Sequence, residues 1–301
     1  MRHDMQSLQR GLVERELVLP SGVKGVWGRG TAFEDIVQRF NDFVSRETKD
    51  DGAQELQFPP VLPRVLIEKL GYLDNFPQLA GSIHSFFGKD ADAREVARRA
   101  REGEDWESML QPTEVMLTPA ACYPVYPNFS GLLPGNGRLI TVTGWVFRHE
   151  PSDEPTRLQS FRMREFIRMG APDEVVSWRD AWLERGLGML RRLGLDAKSD
   201  VASDPFFGRT GRMMAAQQVE QRLKFEILVP VISQEAPTAV CSFNWHQEHF
   251  SGKFGIRTSD GAIANTACLG FGLERVALAL INTHGFDTRE WPQDVRALLW
   301  P

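Results

Sequence analysis

Two groups of residues in this chain have types and spacings that could do chemistry. The first is Arg148, Glu150, Arg157, Phe161 and Arg275. Guanidiniums stay charged and make bidentate contacts to phosphate, and a phenylalanine offers its face to a nucleobase. Arg275 follows Gly270 and Gly272, which let backbone approach closely, and could cover the other face of the base. The set suits a nucleoside triphosphate. On residue types alone it is also a solvated hairpin edge with ordinary ion pairs, which contribute little. The second group is Cys122, Glu165 and Cys268. Two thiolates and a carboxylate are competent zinc ligands, and three protein ligands leave the fourth tetrahedral position open for substrate. No C-x-x-C frames them, so two core thiols beside an unrelated glutamate fit the same pattern. Cys241 reads as core or as the lining of a small pocket.

Other chemistries lack their signatures. Gly270-Phe271-Gly272 is too short for a dinucleotide fingerprint, and no phosphate-loop lysine occurs. No G-x-S-x-G nucleophile elbow and no H-E-x-x-H are present. His246 and His249 lie three apart, which on a strand turns them to opposite faces and argues against a shared role.

The elements that must position these residues centre on Leu139 to Gly170, which reads as strand, polar loop and strand. Alternation puts Arg148 and Glu150 on one face of the first strand and Phe161, Met163 and Glu165 on one face of the second. Before it, Phe33, Ile36, Val37, Phe40 and Val44 mark a helix, with Thr31 and Glu34 as an expected capping box. Short strands are expected near Glu55–Leu62 and Val115–Leu117. After the hairpin come a long helix over Asp173–Leu193, a short polar helix at Met213–Glu220, and strands at Leu223–Val231, Ala239–Trp245 and Gly255–Arg257. Asn265 to Leu280 reads as a strand or glycine turn entering an apolar helix at Leu273. Helices interrupting a mostly antiparallel run of strands make an α+β protein. We divide the chain into an N-terminal tail (1–25), expected to be loosely ordered at its start, and one domain (26–301). That domain carries a charged insertion at 88–111 and an idiosyncratic helical segment at 173–215.

With 301 residues, 42% of them hydrophobic, the chain can bury a sizeable core. A net charge of −5 argues against a general nucleic-acid binder. No apolar run approaches the roughly 18 residues of a membrane span, and the N-terminus lacks the apolar region of a secretory signal. Three separated cysteines make no disulfide framework, so a cytoplasmic location is expected.

The motifs now resemble a known family. Phe147-Arg148-His149-Glu150 with Arg157 and Phe161 resembles motif 2 of class II aminoacyl-tRNA synthetases. Cys268-Leu-Gly-Phe-Gly-Leu-Glu-Arg275 resembles motif 3. The helix from Thr31 and the strand ending Phe58-Pro59-Pro60 resemble motif 1. The likeness is greatest to the seryl-type core and covers about residues 25 to 301. Two departures narrow it. No long tRNA-holding arm precedes the motif 1 helix. Cys122 stands where the usual seryl enzymes carry a glutamate, and with Glu165 and Cys268 it matches the zinc-ligand set of methanogen-type seryl enzymes. A truncated homologue of that type is similar to the amino acid:[carrier protein] ligases.

This resemblance implies a class II catalytic domain with a mostly antiparallel sheet flanked by helices. It implies activation of a small amino acid (glycine, alanine or serine) by ATP, then transfer to the phosphopantetheine thiol of a holo carrier protein. Arg148 would be catalytic, at the α-phosphate. ATP contacts would come from Arg148, Glu150, Arg157, Leu158, Phe161 and Arg275. The amino acid pocket would hold Glu165, Ala239, Val240 and Cys241, and Cys122, Glu165 and Cys268 would hold Zn2+. ATP chemistry also implies Mg2+, although Thr238 and Ala239 lack the carboxylate that the seryl type carries there. A homodimer through the Thr31–Val44 helix is implied, and neither tRNA nor membrane is expected as a partner. Arg185, Arg191, Arg192, Arg209 and Arg212 could meet an acidic carrier surface. The alternatives are a tRNA-aminoacylating seryl-type enzyme and a non-catalytic synthetase-like binding paralogue.

Overall fold

The computed structural model describes residues 4–301. Its centre is a seven-stranded sheet. In chain order the strands are β1 (Gln54–Leu56), β2 (Arg138–Phe147), β3 (Ser160–Gly170), β4 (Lys198–Val201), β5 (Lys224–Val229), β6 (Thr238–Gln247) and β7 (Asn265–Gly272). Across the sheet they run β4-β5-β6-β7-β3-β2-β1. Every pair is antiparallel except β1 with β2. This is the α+β architecture the patterning calls for.

Alternation along β3 divides the molecule into two cores. Phe166 points into a layer filled by helices α1 (Thr31–Glu47), α2 (Pro172–Arg192) and α4 (Leu273–His284), with α3 (Gly208–Glu220) lying between α2 and α4 in the chain. Phe40 of α1 meets Phe271 of β7 edge to face at 5.6 Å, the geometry aromatic quadrupoles favour. Phe161 and Ile167 point the other way. Their core is completed by Leu62, Met116, Tyr126 and Phe250. A small sheet of Val61–Pro63, Gln111–Leu117 and Ser82–Ser85 covers that side.

Several local expectations are corrected. The cap of α1 is Gly30, without a side-chain cap bond, and Thr31 is the first helical residue. Glu34 does not form a capping box. Its carboxylate accepts a two-bond fork from Arg162 at 2.7 and 2.9 Å, a stronger use of the group than a local cap. Arg162 also donates to Glu274 through its backbone N–H (2.7 Å) and Nε (2.8 Å). Glu274 is fully buried, so this network fixes β3 against α1 and α4. Residues 1–3, where the tail begins, lie outside the described residues; from Asp4 on the tail is built, with Met5–Glu14 a helix capped by Asp4 and Leu8 and Leu12 in the helix-side core. Polarity on its outer face hides that amphipathic stripe.

Asp90–Glu102 is a helix with no buried residue, as its charge suggests. Arg185 pairs with Asp51 at 2.7 Å, Arg192 with Glu47 at 2.8 Å, and Arg191 donates to the Ala197 carbonyl. These three arginines therefore tie α2 to α1 and to the loop after it. Arg209 and Arg212, on α3, are exposed and make no ion pair among the described residues. No helix among the described residues is long and apolar enough to cross a membrane.

Candidate active site

Antiparallel pairing sets directly opposite residues on the same face of a sheet. Glu165 of β3 is opposite Gly270 of β7, Gly270 is opposite Ser242 of β6, and Ser242 is opposite Glu226 of β5. One step along, Cys268, Asn244 and Lys224 form a parallel row. Two adjacent rows thus carry sulfur, carboxylate and ammonium groups onto one side of the sheet. Gly270 leaves room for its neighbour: a Cβ there would lie 3.2 Å from Glu165 Cγ, close enough that the Glu165 stem would have to shift.

Cys122 arrives from the turn after Gln111–Leu117. The N–H of the preceding residue, Ala121, donates to Glu165 Oε1 at 2.8 Å. Ligand atoms of Cys122, Glu165 and Cys268 all lie within 4.8 Å of one another, and all three residues are buried. Burial, and then the neighbouring Cys268, push the Glu165 carboxyl up to about 8. Hydrogen bonding between the two thiols pushes Cys122 up and draws Cys268 down. The donor set fits a divalent ion. Two sulfurs and a carboxylate oxygen converge at ligand distance with no side-chain cation among them, and zinc accepts this set with one position open.

The other half of the site lies around Arg148. This residue is past the end of β2, yet its N–H still donates to the Gln159 carbonyl at 2.8 Å. Its Nε donates to the Pro119 carbonyl at 3.0 Å, and its guanidinium lies 5.7 Å from the Phe161 ring centroid. Arg275 donates to the Thr156 carbonyl (2.9 Å) and the Ala239 carbonyl (3.0 Å). One cavity of about 520 Å³ joins the two halves. Arg148, Phe161, Arg275, Ala239, Val240 and Cys241 line it, as do Cys122, Glu165 and Cys268.

Three residues of the expected nucleotide set stand outside that lining. Glu150 and Arg157 lie in the loop beside it, 3.7 Å apart, with Arg157 also 3.5 Å from Glu154. Leu158 is buried in the core beneath the loop, since an apolar side chain flanking an exposed arginine gains by turning inward.

Sequence reasoning missed two further parts of the cavity wall. Lys224 is 7% exposed and donates to Asp204 Oδ1 at 2.7 Å, with Glu226 Oε1 at 3.0 Å. Gln218 of α3 grips Asp204 from both ends of its amide (2.7 and 2.8 Å). The alternating pattern of β5 held Lys224 and Glu226 in view, but their partner comes from a loop whose return path no local signal gives. The second is His246, whose Nε2 lies 3.4 Å from Cys268 Sγ. His249 is the first residue of a short helix, His249–Phe254, and not a strand residue.

The fold is that of a class II aminoacyl-tRNA synthetase catalytic domain. It superposes on the M. kandleri SerRS solved with A. aeolicus tRNASec at a TM-score of 0.83, with 23% identity, over 99% of this chain and 60% of that one. On the ATP-complexed seryl-tRNA synthetase of Pyrococcus horikoshii the TM-score is 0.67, with 13% identity, over 98% and 61%. No family model matches the chain. Among curated proteins, amino acid–[acyl-carrier-protein] ligase 1 of Bradyrhizobium diazoefficiens is 44% identical over 280 residues, covering 92% of this chain and 86% of the relative. The type-2 serine–tRNA ligase of Methanococcus aeolicus is 25% identical, and the match covers 91% of this chain but 55% of that protein. The chain belongs to the amino acid–[acyl-carrier-protein] ligase family, and is an enzyme of the ligase class.

Proposed function

We propose that this protein activates a small amino acid with ATP and transfers it to the phosphopantetheine thiol of a holo carrier protein. The observation that carries the reading is the single cavity joining the arginine–phenylalanine end to the Cys122–Glu165–Cys268 end. An amino acid bridging the two ends would have its amino group at the trio and its carboxylate toward Arg148. Zn2+ held by Cys122, Glu165 and Cys268 would supply one open coordination position for that amino group.

A carboxylate oxygen then attacks the α-phosphorus of ATP. The bond from that phosphorus to the bridging oxygen breaks, and pyrophosphate leaves; Mg2+ brought in with ATP would offset the charge on the leaving group. Arg148 faces the charge that develops on the pentacoordinate phosphorus. Phe161 and Arg275 enclose the adenine, Glu150 accepts from its amino group, and Arg157 holds the outer phosphates. Leu158 supports that loop from within the core. In the second step the carrier's thiol sulfur attacks the acyl carbon, AMP leaves, and the thiol proton passes to solvent. Ala239, Val240 and Cys241 wall the aminoacyl group. The amino acid would be glycine, alanine or serine.

The carrier would dock near Arg209 and Arg212, which precede the α3 residues that line the cavity, Met214, Gln217 and Gln218. The protein would work as a homodimer through α1, in the cytoplasm, without tRNA. Pyrophosphate exchange across a panel of small amino acids, with and without chelator, tests the first step. Transfer of labelled amino acid to holo carrier protein and, in parallel, to tRNA tests the second. Zinc-independent exchange with every amino acid, or charging of tRNA alone, would overturn the proposal.

A further inference from the structure

We infer that His246 is a positioning residue for the ion site, orienting the Cys268 sulfur from behind through an N–H···S bond. The inference rests on the reading of Cys122, Glu165 and Cys268 as ligands.

Its placement comes from an irregularity in the sheet. Trp245 is opposite Ala267, but Gln247 is opposite Thr266, so His246 is an extra residue on β6. Such bulges re-aim side chains next to sites. Here the imidazole is set between two groups of β7. Nδ1 lies 3.1 Å from Thr266 Oγ1, and Nε2 lies 3.4 Å from Cys268 Sγ. Thr266 is fully buried. The ring is held edge-on against Phe250, with centroids 4.7 Å apart at 74°, and faces Tyr126 at 85°.

A sulfur that ligates an ion can only accept, so the ring contributes its Nε2–H to that contact. The Thr266 hydroxyl at Nδ1 holds the opposite edge of the ring. Asn244 Nδ2 adds a second N–H toward the same sulfur, at 3.6 Å. His246 is not a fourth ligand: the atoms that lie within 4.8 Å of one another are those of Cys122, Glu165 and Cys268 and do not extend to it. With Nε2 committed to sulfur, the open position is left to substrate. Outer partners of this kind orient a ligand and tune its basicity.

The test uses the full chain with His246→Leu, His246→Gln and Thr266→Val. Zinc affinity is measured by competition with a chromophoric chelator, and the cobalt-substituted forms are compared by their thiolate-to-metal charge-transfer band. His246→Leu should lower zinc affinity about 10- to 100-fold and move the band. His246→Gln, which keeps an N–H donor, should recover most of the affinity. Thr266→Val should give a loss of a few-fold by freeing the ring's orientation. Wild-type affinity and an unmoved band in both His246→Leu and Thr266→Val would overturn the inference. So would complete loss of the ion in both His246 variants, which would make the imidazole a ligand. If His246→Leu fails to fold, His246→Gln and Thr266→Val decide by the same two readouts. Wild-type protein that takes up neither zinc nor cobalt would instead overturn the reading of the trio itself.

Discussion

Gly270 stands directly opposite Glu165 across the β7–β3 pair, and only hydrogen fits between them without a shift. Gly270→Ala would push against the Glu165 stem while the Ala121 N–H still holds its carboxylate. We expect zinc affinity to fall about tenfold, because displacing a ligand by a few tenths of an ångström degrades coordination geometry. Chelator competition on the purified variant measures this.

The proposed reaction sets Arg148 against the charge that develops on the α-phosphate, and its Nε is already committed to the Pro119 carbonyl. A lysine cannot both keep that bond and present a fork to phosphate. Arg148→Lys should therefore cost about 100- to 1,000-fold in amino-acid-dependent pyrophosphate exchange. Zinc content should stay at the wild-type level.

The Asp204–Lys224 pair gives a pH signature. Burial pushes the Asp204 carboxyl up, but Lys224 and Gln218 outweigh it and hold the group below its ordinary value of 3.8. A depressed carboxyl contributes stability that is complete above 3.8 and is lost as pH falls through the folded value. Lys224→Met leaves the burial and removes the cation, so the sign reverses. The variant should be about 3–5 kcal/mol less stable than wild type at neutral pH. The gap should narrow toward about pH 4 as the stranded carboxylate protonates. Urea unfolding at several pH values reads both trends.

Arg209→Glu with Arg212→Glu should raise the apparent KM for holo carrier protein about tenfold, since charges at a rim act on encounter more than on chemistry. Pyrophosphate exchange should be unaffected. Arg192→Glu is the contrast. It breaks the half-exposed pair with Glu47, costs less than about 1 kcal/mol, and should leave the KM for carrier unchanged. Steady-state kinetics with varied carrier concentration separates the two faces.

Much of the site was legible because its residues sit in dense local patterns. Arg148, Phe161 and Glu165 lie within one hairpin whose period-2 alternation already sorts the faces. Gly270, Gly272 and Arg275 follow one another at a strand–helix junction. Residue type alone put Cys122 beside Glu165 and Cys268 as a possible ligand set, and the family resemblance was needed to prefer that over core thiols, since no local spacing links a turn to two strands far along the chain. His246 was hidden for a sharper reason. Simple alternation assumes one residue per step, and the bulge breaks that count at the residue that matters. Asp204 was hidden because an ion pair formed by a returning loop leaves no periodic trace. The helix at Met5–Glu14 was obscured by polar residues on its outer face, and the Thr31 cap was displaced by a tertiary fork from Arg162 to Glu34.

The two rows that cross β5, β6, β7 and β3 also bear on how the chain reaches its native state. Glu165 and Cys268 share a face only in the present register, in which Glu165 meets Gly270 and Ile167 meets Cys268. A one-residue slip of β3 against its neighbours would reverse every side chain on the slipped strand. Glu165 would then enter the layer now filled by Phe166, and Phe166 would replace it in the cavity. A misregistered sheet therefore has a buried carboxylate in its greasiest layer and no cavity floor. Assembly of the Cys122–Glu165–Cys268 group and correct strand pairing are thus selected by the same residues, and a chain misfolded without that group is also an unstable one.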